Sequence, residues 1–456
     1  MPQRYVPTRE PDGRAQLIEN AHHTVAVIGG GQAGLSMSWY LRRRGLDHVV
    51  LERDRVGHEW RDRRWDSFCL VTPNWQCRLP GYSYAGDDPD GFMPGPEIVG
   101  FLEKYAASFD PPLAEGVEVT RLRRLPSGVF ELVTTAGTST ADQVVVATGP
   151  YHNPAVPRIA ERLPGGLTQL HSSQYRNPGQ LPGGAVLVVG TGQSGCQIAE
   201  DLHLAGRRVH LAVGSAPRCA RRYRGRDTLA WLDEMGHYAR GIDEFADADA
   251  VRLRANHYMT GRDGGHDIDL RAFARDGMRL HGRLRAVDGT RVSFAGDLAS
   301  NLDGADAVAE GIKDAIDRYV DSAGIVAPAE ARYVPVWRPA GPEAGLDLAA
   351  EGVASVVWAT GFHRDHRWIE VPVFDGRGYP THERGVTSCP GLYFLGLPWQ
   401  YTWGSGRFAG VARDAAYLCE RIGAARRRRF TDEVSWLAGT PTETYPDVDW
   451  FQPRAA

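Results

Sequence analysis

The residues with the clearest chemical use are glycines spaced as G-x-G-x-x-G, at Gly29, Gly31 and Gly34. In this pattern the first glycine permits a tight turn, the second lets backbone approach a pyrophosphate, and the third lets a helix pack closely on a strand. The helix then offers free N–H groups and the positive end of its dipole to the anion. Glu52 stands where a carboxylate would bind ribose hydroxyls, so the segment, with Gln32, predicts a dinucleotide site.

The same frame returns at Gly190, Gly192 and Gly195, with Gln193 and Ser194 inside it. No acid ends the strand after this second motif. Polar and basic residues follow it instead: Ser215, Arg218, Arg221 and Arg222. A missing acid with arginines nearby favours a 2′-phosphate, so this motif predicts an NADPH site. The alternative is that these are ordinary loop arginines, because nearly all the basic charge of the chain is arginine.

Two dinucleotide sites in one chain are typical of enzymes that pass a hydride from NADPH to a bound flavin, here FAD. Disulfide reductases with this plan carry a C-x-x-x-x-C pair soon after the first βαβ unit. In this chain Cys69 and Cys77 are eight residues apart, which is the wrong spacing. Oxygen is therefore the predicted electron acceptor. The alternatives are an NADPH-dependent flavoprotein reductase of the thioredoxin-reductase type and a non-catalytic, redox-sensing flavoprotein.

The elements that must position these motifs follow an α/β pattern. A β-branched run at residues 23–28 precedes the first glycines, a helical pattern follows them, and residues 48–51 form a second buried strand. The second motif repeats this plan, with strands at residues 185–189 and 208–213. Parallel strands need a crossover helix. We therefore expect an α/β fold of two Rossmann-like dinucleotide-binding domains, the NADPH domain inserted into the FAD domain.

These patterns divide the chain into an extension, two interleaved domains and a tail. The predicted bounds are 1–22 for the N-terminal extension, 23–160 and 351–425 for the two parts of the FAD domain, 161–350 for the NADPH domain with a mostly helical insertion at 225–330, and 426–456 for the C-terminal tail. The insertion and the tail carry no motif that assigns them a role.

Composition limits the classes of partner. The chain has 456 residues, 42% hydrophobic and 24% charged, which suits a globular protein of two or three domains. A formal net charge of -4 argues against nucleic acid, and no apolar run approaches the length of a membrane span. The first residues lack the apolar segment of a signal peptide, so we expect a cytoplasmic protein.

The expected ligands are a small-molecule substrate and O2. The histidines and cysteines show no metal-ligand spacing, so no metal site is predicted. The oligomeric state stays open, with a homodimer as the alternative to a monomer.

The order of these motifs resembles the class B flavin monooxygenases, which include flavin-containing monooxygenases, N-hydroxylases and Baeyer–Villiger enzymes. The resemblance covers about residues 22–422. His171 and Tyr175 match the family's linker motif F-x-G-x-x-x-H-x-x-x-(Y/F/W), while Gly165 and Leu167 depart from its first two fixed positions. The resemblance implies a hinge role for His171. Tyrosine rather than tryptophan at position 175 leans away from Baeyer–Villiger oxidation.

The resemblance also implies which residues lie along the flavin. Trp60, Arg61 and the segment ending at Asn74 resemble the stretch that runs under the flavin ring. Asn74 would then lie near the flavin edge where oxygen adds. The alternative is a turn-forming asparagine after Pro73.

Three further segments occur in the family's order. Two turns resemble its chain crossings between domains and one glycine pair resembles its closing flavin segment: Thr148-Gly149, Thr360-Gly361, and Gly404 with Gly406. The family's chemistry implies that NADPH reduces FAD, oxygen adds at flavin C4a to give a (hydro)peroxyflavin, and a small, nitrogen-containing substrate takes one oxygen atom. Residues 163–184, 221–227 and 396–415 look most like a bacterial subgroup of flavin-dependent oxidoreductases encoded beside a nitrilase.

Overall fold

The computed structural model describes residues 18–341 and 345–438, with side chains described up to residue 427. Most of the extension predicted at 1–22, and all of the predicted tail beyond residue 438, lie outside the described residues. The described chain has two main sheets of nine and five strands, each built around one glycine motif. The expected α/β fold with two dinucleotide-binding domains is confirmed.

The strands of the two main sheets have these bounds in chain order: β1 His22–Ile28, β2 His48–Glu52, β3 Leu113–Glu115, β4 Val119–Arg124, β5 Phe130–Thr134, β6 Gly137–Val146, β7 Thr168–His171, β8 Ala185–Val189, β9 Val209–Ala212, β10 Arg279–His281, β11 Val353–Trp358, β12 His382–Glu383, β13 Val386–Thr387 and β14 Leu392–Phe394. Smaller sheets pair Arg78–Leu79 with Tyr82–Ser83, Asn153–Pro154 with Phe362–His363, Arg222–Tyr223 with Arg226–Asp227, and Leu284–Asp288 with Arg291–Phe294 and Leu346–Asp347.

The first sheet holds the first glycine motif at the carboxyl end of its central strand. Its order is β12-β13-β14-β6-β1-β2-β3, and the pairs from β14 to β3 are parallel. The strands β4, β5 and β6 form an antiparallel meander. Strands β1 and β6 end in buried apolar runs, as expected for strands covered on both faces.

The second sheet is parallel throughout, in the order β7-β11-β8-β9-β10. The strand β11 falls within the segment 351–425 that was assigned to the FAD domain, but the structure pairs it between β7 and β8. The chain therefore returns to the first sheet only after the crossing at Gly361 and Phe362. An apolar strand such as β11 fits the interior of either sheet, which is why its pattern did not reveal its neighbours.

The helices have these bounds: α1 Gln32–Arg43, α2 His58–Arg61, α3 Gly95–Phe109, α4 Gln193–Leu204, α5 Thr228–Glu234, α6 Ala248–Leu253, α7 Leu270–Arg275, α8 Leu298–Ser322 and α9 Val411–Ala438. The helix α9 packs on α1 and continues to Ala438, because its alanine- and arginine-rich residues favour helix. Within the described part of the chain, none of these helices combines the length and apolar character needed to cross a bilayer.

Candidate functional site

The first glycine motif forms the turn between β1 and α1. Gly29 has a φ of 112°, and a Cβ on it would lie 2.6 Å from the carbonyl oxygen of Ala147. A Cβ on Gly34 would lie 1.8 Å from the carbonyl oxygen of Gly29. A Cβ on Gly31 would meet no atom of the described residues within 4 Å. Gly29 and Gly34 are therefore required by packing, whereas Gly31 borders open space where a pyrophosphate could approach.

The second motif repeats this geometry between β8 and α4. Gly190 has a φ of 105°, and a Cβ on it would lie 2.6 Å from the carbonyl oxygen of Ala359. A Cβ on Gly195 would lie 1.9 Å from the carbonyl oxygen of Gly190, while one on Gly192 meets nothing within 4 Å in the described structure. Each motif thus packs against the alanine that precedes a Thr-Gly turn.

The helices that follow the two motifs begin without a side-chain cap. The N-caps of α1 and α4 are Gly31 and Gly192, which supply no capping side chain. By contrast, Asp227, Asp247 and Asp269 each accept a hydrogen bond from the first turns of α5, α6 and α7. Uncapped N–H groups next to open space form an anion site, so both helix starts fit a dinucleotide diphosphate.

Glu52 is the acid beside the first motif. Its Oε2 accepts a hydrogen bond of 2.6 Å from the backbone N–H of Gly30, and its Oε1 accepts one of 2.9 Å from Asp54. The carboxylate is thus held at the end of β2 next to the turn, as expected for binding ribose hydroxyls of FAD. The corresponding strand β9 runs into Gly214 and the exposed Ser215, with no acid there.

The arginines after β9 do not share one surface. Arg218 is buried and its Nε lies 2.6 Å from Asp306. Arg221 is also buried, bound to Asp227 at 2.5 Å and to the carbonyl oxygen of Val71 at 2.7 Å. These two guanidinium groups are occupied by internal partners, so the structure does not bring them to a surface where they could meet a phosphate. Arg222 is exposed and remains available there, together with Ser215.

The glutamines within the motifs hydrogen-bond to segments distant in the chain, a role that the sequence did not reveal. Gln32 Nε2 donates a 3.1 Å hydrogen bond to the carbonyl oxygen of Gly406. Gln193 Nε2 donates to the carbonyl oxygen of Met259, as does Gln197 Nε2 at 2.6 Å. Each motif is thereby tied to a distant segment, the first to the closing glycine segment and the second to the insertion. Ser194 lies half-buried at the same helix start.

His171 lies at the second chain crossing. It is buried, and its Nε2 lies 2.8 Å from the carbonyl oxygen of Gly361. Its Nδ1 lies 3.0 Å from Ser173 Oγ. Burial lowers the pKa of His171, so the ring is neutral near pH 7. Thr360 Oγ1 donates to the carbonyl oxygen of Ala155 at the same crossing.

The first crossing has a related arrangement. Gly149 has a φ of 72° and Gly361 a φ of 84°, a conformation that favours glycine at both turns. The ring of His152 contacts the carbonyl oxygen of Thr148 and reaches Glu59 at 3.2 Å. The two Thr-Gly turns are thus the points where the chain passes between sheets.

Asp201, which no sequence motif singled out, joins three segments at the domain junction. Its carboxylate accepts hydrogen bonds of 2.7 Å from the Tyr175 hydroxyl and 2.7 Å from Ser67 Oγ. Arg262 from the insertion lies 2.9 Å from the same carboxylate. Tyr175, the last residue of the linker motif, is therefore fixed to α4 rather than to a cofactor.

The segment expected along the flavin places its arginines differently from the prediction. Trp60 stacks on Phe408 with ring centroids 5.9 Å apart. Arg61 turns to Glu103 at 2.6 Å. Arg64 lies over Trp60 at 5.3 Å and has no carboxylate within ion-pair distance in the described structure. Arg64, which the sequence did not single out, is half-buried beside Trp60, and its Nη1 donates a 2.9 Å hydrogen bond to the carbonyl oxygen of Arg63.

Asn74 is buried and holds a loop. Its Nδ2 donates to the carbonyl oxygen of Asp88 at 2.9 Å, and its Oδ1 accepts from the N–H of Met93 at 2.9 Å. Both partners are distant in the chain, so the Asn74 side chain braces a loop, and its place near the flavin edge stays a prediction. Two positions later, Gln76 is buried, and neither its amide oxygen nor its nitrogen has a hydrogen-bond partner among the described residues. Gln76 is thus the amide free to bind a ligand in this segment.

The glycines of the closing segment are explained by backbone packing. A Cβ on Gly404 would lie 2.9 Å from Gly410 Cα, and one on Gly406 would lie 2.8 Å from the carbonyl oxygen of Gly396. The segment folds tightly against itself and against α1, which leaves its backbone beside the first motif.

The thiols are unsuited to disulfide exchange. All six cysteines lie within the described residues and are free. Burial raises the pKa of Cys77 and Cys219 to about 12, and that of Cys419 to about 11. Since the thiolate is the reactive form, these groups are poor redox nucleophiles near neutral pH. No group of three or more metal-ligating side chains is found in the described ranges.

Comparison with known proteins agrees with this geometry. Residues 26–233 match the family model for pyridine nucleotide-disulphide oxidoreductases. An uncharacterised CzcO-like oxidoreductase of Geobacillus kaustophilus is 34% identical over 87% of this chain and 97% of its own length.

Two solved structures share the fold. A flavin-containing monooxygenase from Stenotrophomonas maltophilia superposes with a TM-score of 0.61 at 20% identity, covering 89% of this chain and 99% of that one. An ornithine N-hydroxylase from Kutzneria, solved with reduced FAD and NADP⁺, has a TM-score of 0.59 at 17% identity, covering 90% and 100%.

These matches confirm the expected enzyme class, a flavin-dependent oxidoreductase, and support FAD and NADPH as its cofactors. The chain belongs to the CzcO-like oxidoreductases, and its fold is shared with a solved flavin-containing monooxygenase.

Proposed function

We propose that this protein is an FAD- and NADPH-dependent monooxygenase that transfers one oxygen atom of O2 to a small, nitrogen-containing substrate. The observation that carries the proposal is the pair of equivalent glycine turns, each with open space at its middle glycine and an uncapped helix behind it. When bound, FAD supplies hydride acceptance from NADPH and oxygen activation. Six buried or half-buried free thiols favour oxygen over a disulfide as the acceptor.

The chain's own residues bind and orient the two dinucleotides. Glu52 is placed to accept hydrogen bonds from the FAD ribose, and the start of α1 to hold its diphosphate. The start of α4 holds the NADPH diphosphate, and Ser215 and Arg222 bind the 2′-phosphate. Preference for NADPH over NADH follows from the missing acid at the end of β9.

Residues of the segment expected along the flavin would orient its ring. The amide of Gln76, which has no hydrogen-bond partner among the described residues, and the guanidinium of Arg64, which has no ion-pair partner there, would contact the flavin when it is bound. Asn74 supports them by fixing the loop near Met93, and His171 forms part of the hinge at Gly361. We further infer membership of the nitrilase-associated subgroup, which points to nitriles, amines and oximes as the first substrates to screen.

Rapid mixing of the holoenzyme with NADPH under anaerobic conditions tests the first half of the reaction. The flavin absorbance should bleach faster with NADPH than with NADH. Added oxygen and substrate should then give product containing one atom from labelled O2, with NADPH consumed in proportion.

The same experiment separates the alternatives. Loss of free thiols during turnover would identify a thioredoxin-reductase-like enzyme. Flavin reduction that no substrate accelerates, with peroxide as the sole product, would favour a redox-sensing flavoprotein and contradict the monooxygenase.

A further inference from the structure

Four polar side chains lie along one face of the nucleotide helix α4. They recur at positions i, i+4, i+7 and i+8, which share a face of a helix: Gln193, Gln197, Glu200 and Asp201. All four bond to one segment of the insertion, residues 259–266. The two glutamines donate to the carbonyl oxygen of Met259. This segment therefore lies along α4 from the predicted diphosphate site to two turns further down the helix.

The two acids on this face are enclosed. The side chain of Glu200 is 2% exposed and that of Asp201 is 7% exposed. His266 Nε2 lies 2.6 Å from Glu200 Oε1, and Arg262 Nη1 lies 2.9 Å from Asp201 Oδ1. A buried carboxylate is unfavourable unless a cation or hydrogen-bond donors pair with it. The segment thus supplies a counter-charge to each acid.

The two counter-charges respond differently to pH. An arginine stays charged throughout the physiological range, whereas a histidine gains or loses its charge within it. The hydrogen bond to Glu200 raises the pKa of His266 above its usual 6.5, and the negative charge of Asp263 adds to the rise. The side chain of His266 is 39% exposed, so it exchanges protons with solvent although its partner is buried.

Other ionisable groups around this pair do not replace His266. They are Cys196 and Asp201 on α4, Arg262, Asp263 and Asp267 beside it in the insertion, and the neighbouring Cys69 and Arg221. Both arginines are engaged by aspartates, and the acids carry the same sign as Glu200. Burial raises the pKa of both thiols, so they are neutral near pH 7. In the described part of the chain, His266 is therefore the titrating counter-charge of Glu200.

The charge of Glu200 lies close enough to the nucleotide to matter. Glu200 follows the N-cap Gly192 by eight residues, which is about 12 Å along a helix. A partly buried carboxylate at that distance repels a diphosphate and lowers its affinity by about threefold to tenfold. A proton on His266 cancels this repulsion.

We propose that Glu200 and His266 are positioning residues for NADPH, and that the nucleotide binds more tightly when His266 carries its proton. The ion pair also holds the insertion on α4, which fixes Gln193 against Met259 at the start of the helix. The bound diphosphate favours the charged form of His266, so nucleotide binding takes up protons above pH 6.5. The inference rests on the proposed NADPH site and on no step of oxygenation.

Calorimetric titration of the FAD-loaded protein with NADP⁺ tests the proposal. Runs in two buffers of different ionisation enthalpy give both the Kd and the number of protons taken up. For the wild type, Kd should rise about threefold to tenfold from pH 6.5 to about pH 8.5, with proton uptake between these values. The 2′-phosphate of the nucleotide titrates near pH 6, so the wild type is compared with variants that share this contribution.

Two glutamine variants separate charge from packing. His266→Gln keeps a donor for Glu200 without the charge, so it should bind NADP⁺ about threefold to tenfold more weakly at pH 6.5 and lose the proton uptake. Glu200→Gln removes the buried charge, so it should bind at least as tightly as wild type at every pH and also lose the uptake. His22→Gln, at an exposed histidine 3.6 Å from Asp142 in the first sheet, is the matched control.

The outcomes distinguish this proposal from the monooxygenase. Proton uptake that persists in both variants would overturn it, and so would equally weakened binding in both, because that is the result of a purely structural pair. His266→Gln alone decides the matter if the buried Glu200→Gln variant does not fold. Loss of oxygen transfer with the uptake intact would count against the monooxygenase only, whereas a wild type that does not bind NADP⁺ would contradict both.

Discussion

Single atoms decide what each glycine in the two motifs does. The middle glycine of each motif borders open space. A Cβ added to either outer glycine would lie only 1.8–2.6 Å from a carbonyl oxygen. The sequence motif alone does not distinguish the roles of its three glycines. The structure separates glycines required for folding from those required for a ligand, and the same distinction applies to the arginines after β9, where two are buried in ion pairs and one is exposed.

Alanine at the second and at the third glycine of the first motif should have different effects. Gly31→Ala should change the free energy of unfolding by less than about 0.5 kcal/mol and lower FAD affinity at least about tenfold, because its methyl occupies the approach of the diphosphate. Gly34→Ala should destabilise the fold by about 3 kcal/mol or more, since its Cβ would collide with Gly29. Urea unfolding and FAD titration measure the two effects, and equal loss of stability in both variants would refute the distinction.

Arg222 should control nucleotide preference. Arg222→Gln should raise KM for NADPH about fivefold to tenfold and leave KM for NADH nearly unchanged, because only NADPH carries the 2′-phosphate. Arg226→Gln, on the paired strand and bound to Glu234 at 2.7 Å, is the control. A parallel rise in both KM values would show that Arg222 does not read the phosphate.

At the scale of elements, the helix α4 carries two functions on different faces. Its first turn faces the predicted NADPH diphosphate, and its last turns place Asp201 against the linker, the insertion and the segment at Ser67. Movement of the nucleotide helix is therefore coupled to these three contacts. Tyr175 of the linker, whose hydroxyl hydrogen-bonds to this helix, therefore positions the NADPH domain and does not contact the reacting atoms.

Removal of the linker hydroxyl tests this coupling. Tyr175→Phe should destabilise the protein by about 1–2 kcal/mol, because Asp201 loses a buried hydrogen bond. Flavin reduction by NADPH should slow while FAD content stays at the wild-type level. Tyr319→Phe, which removes a hydroxyl bonded to Glu234 at 3.2 Å on α8, is the comparison. An unchanged reduction rate in a destabilised Tyr175→Phe protein would limit Tyr175 to a packing role.

For the whole molecule, buried histidines couple folding to pH. His210 on β9 and His281 on β10 are both buried, and His210 Nδ1 lies 3.0 Å from His281 Nε2. Burial, with the positive field of His281 and Arg279, lowers the pKa of His210 from 6.5 to about 4. Burial also lowers the pKa of His257 and His382 to about 4.

The expected consequence is acid destabilisation between pH 6.5 and pH 4. In this window the unfolded chain binds a proton at His210 and the folded chain does not, so the free energy of unfolding falls as pH falls. His210→Asn, which keeps a donor near His281, should reduce this loss by on the order of 1–2 kcal/mol. Urea midpoints measured across the window test it, with the exposed His22→Asn as control. Parallel curves for wild type and His210→Asn would exclude the contribution.

The sequence by itself determined the two glycine turns, the acid after the first one and the βαβ units around them. These features depend on residues close together in the chain, where turn geometry, helix start and strand end are set by local steric and hydrogen-bonding rules. The cysteine spacing likewise sufficed to disfavour a dithiol enzyme, and the free thiols, four of them buried and two half-buried, agree with it.

Only the tertiary structure decided which side chains are available to a ligand and which are used inside the fold. Burial and ion pairing withdraw Arg218 and Arg221 from the nucleotide, Asn74 is used to hold a loop, and β11 joins the second sheet. Ile242 and Tyr401 lie far apart in sequence and meet because the insertion docks on the closing segment. Such contacts depend on long-range packing, and whether a guanidinium finds a carboxylate is settled by its spatial neighbours, which the pattern of residues along the chain does not encode locally.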